Sequence, residues 1–189
     1  MIILGASRTG KLNVSLPHGY ITPDEMLFIK NQVKKQNTPT TSFLEVGSFS
    51  GKLLCYLHMH YSNWRYVAVD HLDPKQAVIS WHTKDKNIFP VTEEEFRKNC
   101  PFAEFYKKKF EYFESTEKFD IVSIGISGSH VNWAGIYKKA NSYLKSDGIL
   151  IGRNYYHKTM GTRIQNALDV LGWEPEIHVT GIFIIKNIY

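Results

Sequence analysis

Three stretches of this chain carry residues able to do chemistry. The longest is Glu45-Val46-Gly47-Ser48-Phe49-Ser50-Gly51, and an acid, Asp70, follows about 20 residues beyond its first glycine. The other two are Ser127-Gly128-Ser129-His130 and Arg153-Asn154-Tyr155-Tyr156-His157. Glycine at 47 and 51 permits a tight turn and a close approach to a ligand, because no Cβ forbids positive φ. An acid placed like Asp70, at the end of the next strand, offers acceptors to the two hydroxyls of a ribose. Phe49 stands where a dinucleotide site needs a second glycine for its pyrophosphate, and Glu45 would repel that anion. A ligand with an amino group or a bridging water suits Glu45 better. The stretch therefore predicts a ribose-bearing ligand of another kind.

These residues need a scaffold, and the pattern around them supplies one. Phe43 to Val46 and Tyr66 to Val69 are apolar runs, and the segment from Lys52 to Tyr61 is apolar at helical spacing, so the turn sits between a strand and a helix. Further strands are predicted at Ala103 to Phe110, Lys118 to Ile126 and Ile149 to Gly152, with Glu176 to Thr180 and Ile182 to Lys186 as a closing antiparallel pair. Helices are predicted from Pro23 to Val33, near Lys75 to Trp81, from Thr92 to the stop at Pro101, from Val131 to Leu144 and from Thr162 to Leu171. Thr22, Pro23 and Glu25 form a helix start with a capping box. Ser146-Asp147-Gly148 reads as a turn. Alternating strands and helices imply a parallel sheet covered on both faces, with ligands at the C-terminal ends of the strands, where all three stretches converge.

The run Glu45 to Gly51, followed by Val67-Ala68-Val69-Asp70, resembles motifs I and II of the class I S-adenosylmethionine-dependent methyltransferases, nearest to their small O-methyltransferase-like members. The resemblance implies a three-layer Rossmann-like sandwich: a mostly parallel seven-stranded sheet with an antiparallel C-terminal strand and helices on both faces. It implies one domain over residues 1–189, with 1–40 as an N-terminal loop and cap helix. The cofactor would be S-adenosyl-L-methionine, with Glu45 near the methionine moiety, Gly47, Ser48, Phe49, Ser50 and Gly51 lining it, and Asp70 on the adenosine ribose. His71 and Ser127 would be further cofactor contacts. Relatives commonly place an acid after the third strand for the adenine amino group, and Lys109-Phe110-Glu111 leaves that register open.

Many relatives hold a divalent cation with acids after the fourth and fifth strands, where they read Ile-Asp-Gly-Asp-His. This chain reads Ile126-Ser127-Gly128-Ser129-His130, and Arg153-Asn154 replaces the second acid. Hard cations select carboxylate oxygens, so no metal is expected. His130 then becomes the candidate general base for methyl transfer to a hydroxyl, because an imidazole titrates near neutrality. Asn154, Tyr155 and Tyr156 are candidate substrate contacts, with Tyr155, Tyr156 and His157 as secondary catalytic candidates. The acceptor implied is a small molecule. The same missing acids also fit a non-catalytic binder or interaction protein, or another S-adenosylmethionine-consuming enzyme such as a lyase.

Composition narrows the remaining classes. With 189 residues, 43% hydrophobic and 22% charged, the chain suits one globular domain. No apolar stretch approaches the roughly 20 residues that span a bilayer, and Met1 to Leu4 is shorter than the about 7 apolar residues of a secretory leader. The expectation is a soluble cytoplasmic protein. Cys55 and Cys100 make neither a disulfide framework nor a metal cluster, and Cys55 is expected on the buried face of its helix. The net charge of +5 includes Lys107-Lys108-Lys109, read as a strand edge that lysine guards from pairing, with nucleic-acid binding weighed against it. Gly5 to Lys11 fits a phosphate-loop pattern, but Leu12 replaces its Ser or Thr and no helix follows, so it is set aside.

Overall fold

The structure, a computed structural model, describes residues 16–17, 19–72, 91–128 and 130–186. The set-aside phosphate-loop pattern, the helix predicted near Lys75 to Trp81 and Ser129 fall outside them. The strands are β1 (Ser42–Val46), β2 (Arg65–Asp70), β3 (Ala103–Lys107), β4 (Phe119–Ile124), β5 (Leu144–Gly152), β6 (Glu176–Ile177) and β7 (Phe183–Lys186). They form one seven-stranded sheet in the order β3-β2-β1-β4-β5-β7-β6. β3, β2, β1, β4 and β5 are parallel, and β7 runs antiparallel to both β5 and β6. This is the predicted fold class.

The helices are α1 (Pro23–Val33), α2 (Lys52–His60), α3 (Glu93–Asn99), α4 (Trp133–Ser142) and α5 (Gly161–Leu171). Strand residues alternate between the two faces, so each central strand feeds two cores. Phe43, Tyr66, Ile121 and Ile151 pack with α1 to α3; Leu44, Val67, Val122 and Leu150 pack with α4 and α5. At the start of α1 the capping box is complete: Thr22 N–H donates to Glu25 at 2.7 Å and Glu25 N–H donates back to the Thr22 hydroxyl at 3.3 Å. Thr92 and Glu95 repeat it at α3. None of the described helices is long and apolar enough to cross a membrane.

Several element boundaries differ from expectation, each for a local reason. β3 stops at Lys107, because Phe110–Tyr112 folds into a 3-10 turn that buries Phe110. Ser146-Asp147-Gly148 is not a turn ahead of β5 but a bulge inside it: Phe119 pairs with Leu144 while Ile121 pairs with Ile149. The Lys145 ammonium, 2.8 Å from the Asp120 carboxylate, ties the bulge to β4. The closing pair forms, but β6 is only two residues long. β3 is an edge strand, and Lys107, Lys108 and Lys109 on and after it are exposed, as expected of a guarded edge. Cys55 is only half-buried, whereas Cys100 at the end of α3 is buried. Their sulfurs lie 3.4 Å apart, and the hydrogen bond to Cys55, together with burial, pushes the Cys100 thiol up.

Candidate functional site

A cleft of about 770 Å³ opens at the C-terminal ends of β1, β2, β4 and β5. Its floor is the turn between β1 and α2. Gly47 and Gly51 both have φ of +80°, so their conformation is one that favours glycine. What crowds them, however, is protein. A Cβ on Gly47 would lie 2.8 Å from the Ile126 backbone nitrogen, and one on Gly51 would lie 2.2 Å from the Cys100 sulfur. The glycines are demanded by the crossing of β4 and the end of α3, where the sequence suggested room for a ligand.

Between them Phe49 adopts φ +49°. Its amide donates to one Asp70 oxygen at 2.7 Å, and the Leu72 amide donates to the other at 2.8 Å. Asp70 thus clamps the turn to the end of β2. Each carboxylate oxygen keeps a further acceptor site, so the clamp can still receive two hydroxyls from the cleft. The Phe49 ring rests against Tyr20, 5.2 Å between centroids. Phe49, Leu72 and Asn154 are the described non-glycine residues with positive φ, and all three line the cleft. Such conformations cost about 1–2 kcal/mol each and collect at ligand sites.

The register of the sheet arranges the polar groups in two rows. Glu45 pairs with Ser123, and Ser123 with Ile151, on the face packed by α1 to α3. One pleat further toward the strand ends lie Gly47, Gly125 and Arg153. Gly125 has no side chain, so the Arg153 guanidinium lies over it: a Cβ there would be 3.3 Å from Arg153 Nη1 and 3.2 Å from the Gly47 carbonyl oxygen. Three residues that line this cleft each carry a buried polar atom without a partner among the described residues: Glu45 Oε2, Ser48 Oγ and Arg153 Nε. An unpaired buried donor or acceptor is costly, and three such atoms on residues of one cleft mark it as a functional site.

Burial pushes the Glu45 carboxyl well above the usual range; Arg153 opposes the shift, and Asp70 reinforces it. The folded protein therefore holds a proton on Glu45 at pH values where the unfolded chain has lost it. The stability this gives is present below the unfolded value of about 4.3 and falls as pH rises through the folded one. Glu45→Gln should remove that component, so the Tm of wild type should drop relative to the variant from about pH 4.5 upward. Parallel Tm profiles would show that Glu45 ionises normally.

Of the residues singled out in the sequence, Glu45, Gly47 to Gly51 except Gly51 itself, Asp70, His71, Ser127, Asn154 and His157 line the cleft. Gly51 lies just beneath, as the N-cap of α2. Three others are placed elsewhere. The Tyr155 ring packs edge-on against Phe183, Tyr156 is 61% exposed, and neither lines the cleft. His130 is exposed on the loop ahead of α4 and is also outside the cleft; Asn132, not His130, caps that helix by accepting from the Gly135 amide. Glu111, after β3, does not reach the cleft, while Phe110 and Lys108 do. Lys108 is the one member of the lysine run that lines it.

Further cleft residues, outside the candidate site set, come from the loop before α1 and from its first turn. Gly19, Tyr20, Ile21 and Glu25 wall the cleft, held by Lys52, whose ammonium donates to the Ile21 carbonyl at 2.9 Å. Burial, and then Arg153, lowers the Lys52 pKa. Arg153 was visible only as a substituted acid. Among the described residues no three His, Cys, Asp or Glu side chains group as a metal's ligands would.

No family model and no curated protein sequence matches this chain. Solved structures do. The chain resembles the O-methyltransferase from Bacillus cereus crystallised with SAH, with TM-score 0.57 and 16% identity over 90% of this chain and 84% of that one. It also resembles the precorrin-6y C5,15-methyltransferase from Geobacter metallireducens, with TM-score 0.62 and 14% identity over 90% and 91% of the two chains. At these identities the likeness establishes the Rossmann-like fold of both.

Proposed function

We propose that this protein is an S-adenosylmethionine-dependent methyltransferase that acts on an oxygen of a small molecule without a metal. The observation that carries the reading is the meeting, in one cleft, of the Asp70-clamped turn with three unpaired buried polar atoms, on Glu45, Ser48 and Arg153. The residues fit the cofactor. Asp70 has acceptor sites for ribose hydroxyls, with His71 beside it. Leu72, Val91 and Phe110 give an apolar wall for a purine, and Glu45 accepts from an ammonium. When bound, S-adenosylmethionine supplies a methyl group on an electrophilic sulfonium.

The chain's own contribution is positioning and exclusion of water. Gly19 to Ile21, Asn154 and His157 also line the cleft, and that part of the wall is assigned to the acceptor. His157 Nδ1 is approached by the Thr159 and Met160 amides, each at 3.3 Å. Nδ1 accepts them, which fixes the orientation of the ring in the cleft wall. An acceptor oxygen that is already charged needs no base, which suits a cleft that His130 does not reach. The lysine run does not ring the cleft, which favours a small acceptor over nucleic acid, and two reduced cysteines suit a cytoplasmic protein.

The placement of His130 also favours a second reading, a binder of the cofactor without turnover. Calorimetric titration with S-adenosylmethionine and S-adenosylhomocysteine, followed by chromatography of the mixture, separates the two. Binding of both is expected. Consumption of the first without an acceptor would redirect the assignment to a lyase. Absence of binding at millimolar ligand would refute the cofactor reading. Once an acceptor is found, chelator should leave turnover unchanged.

A further inference from the structure

Arg153 is the least explained charge in the fold. Its side chain is 11% exposed, its Nε has no partner among the described residues, and its Nη2 donates to the Tyr20 carbonyl at 3.1 Å. Among the described residues the nearest carboxylate oxygen, Glu25 Oε2, is 4.0 Å away and already accepts the Thr22 amide at 2.7 Å. Glu45, one pleat behind, makes no ion pair with Arg153. Lys52 stands near as a second cation. A guanidinium taken out of water needs its planar fork of donors filled, and here Arg153, with Nη1 lying over the side-chain-free Gly125, lines the cleft from which such a partner can come.

We propose that Arg153 is a carboxylate anchor: its guanidinium, lying across Gly125 toward Gly47, binds the carboxylate of the molecule held in the cleft. A carboxylate matches the fork in two parallel hydrogen bonds, which no single carbonyl such as that of Tyr20 can do. Two molecules can bring it. One is the cofactor, whose amino acid end would then meet Glu45 with its ammonium and Arg153 with its carboxylate; this source rests on the cofactor reading above. The other is an acidic acceptor docked beside Asn154, whose oxygen needs no proton removed.

Calorimetry on wild type, Arg153→Met and Arg153→Lys distinguishes these, using S-adenosylhomocysteine, 5′-methylthioadenosine (the same nucleoside thioether without the amino acid arm) and benzoate as a plain carboxylate. If the carboxylate is the cofactor's, Arg153→Met should weaken S-adenosylhomocysteine about 30-fold and leave 5′-methylthioadenosine within about twofold, with Arg153→Lys between. If it is the acceptor's, both nucleosides should bind Arg153→Met normally. Benzoate should then saturate the wild-type complex with S-adenosylhomocysteine and not the variant complex. Unchanged nucleoside affinities together with benzoate binding that ignores the substitution, or is absent from wild type, would overturn the anchor. Should wild type bind neither nucleoside, the cofactor reading fails by itself, and benzoate on the ligand-free proteins decides the anchor: saturation lost in Arg153→Met supports it, and any other result overturns it. Thermal unfolding confirms that each variant is folded, and Arg153→Lys serves if the methionine variant is not.

Discussion

Asp70→Ala should lower the affinity for S-adenosylhomocysteine by roughly 100- to 1,000-fold. Two effects act together. The carboxylate's acceptor sites for the ribose hydroxyls disappear, and hydrogen bonds to a charged group are worth about 1.5–3 kcal/mol each. The amides of Phe49 and Leu72 also lose their partner, which frees a turn that Asp70 holds at positive φ on both sides. Every 1.4 kcal/mol is about tenfold in affinity, so two lost bonds are enough for the estimate. Asp70→Asn should repair little of it, since the amide keeps one acceptor oxygen for two backbone donors, and its NH₂ would face the other donor. Calorimetry on the folded variants is the check. An affinity within threefold of wild type would remove Asp70 from the site and leave it as a structural clamp.

Gly51→Ala should be strongly destabilising. The φ of +80° costs an L residue about 1–2 kcal/mol, and the new Cβ would press against the Cys100 sulfur at 2.2 Å, with Phe96 at 3.2 Å behind it. Forcing a methyl into packed surroundings adds about 1–3 kcal/mol, for a total near 3 kcal/mol and a fall in Tm of about 6–12 °C. The two components separate in a double-mutant cycle. In a Cys100→Ala background the collision is gone, and Gly51→Ala should cost only its conformational part, about 1–2 kcal/mol. Equal costs in both backgrounds would mean that the left-handed conformation alone demands glycine.

The same pair of residues shows where sequence reasoning stops. Glycine at 47 and 51, with Asp70 downstream, was legible as a strand-turn-helix-strand unit because the signals are local: apolar periodicity, residues free at positive φ, and an acid at a strand end. The reason those glycines are needed was not legible, because the atoms that crowd them belong to Ile126 and Cys100, distant in the chain. The bulge at Ser146 to Gly148 was read as a turn for the same reason. Turn-forming residues announce a break in regular geometry, and only pairing with Phe119 and Ile121 makes that break a bulge.

The candidate site divides along the same line. Phe43 to Asp70 by itself determined the ligand class proposed, since one contiguous segment builds both the floor and the ribose acid. Which later residues join it was decided by tertiary structure. His130, Tyr155 and Tyr156 sit in stretches that end at the correct strand edge, but a side chain's direction depends on loop geometry and packing partners. Tyr155 turned to Phe183, and the loop before α4 carried His130 to solvent. Arg153 entered because the sheet register placed it beside Gly125, which has no side chain to exclude it. Local sequence sets φ, ψ and periodicity, whereas register and facing are properties of strands that meet only when the whole sheet has formed.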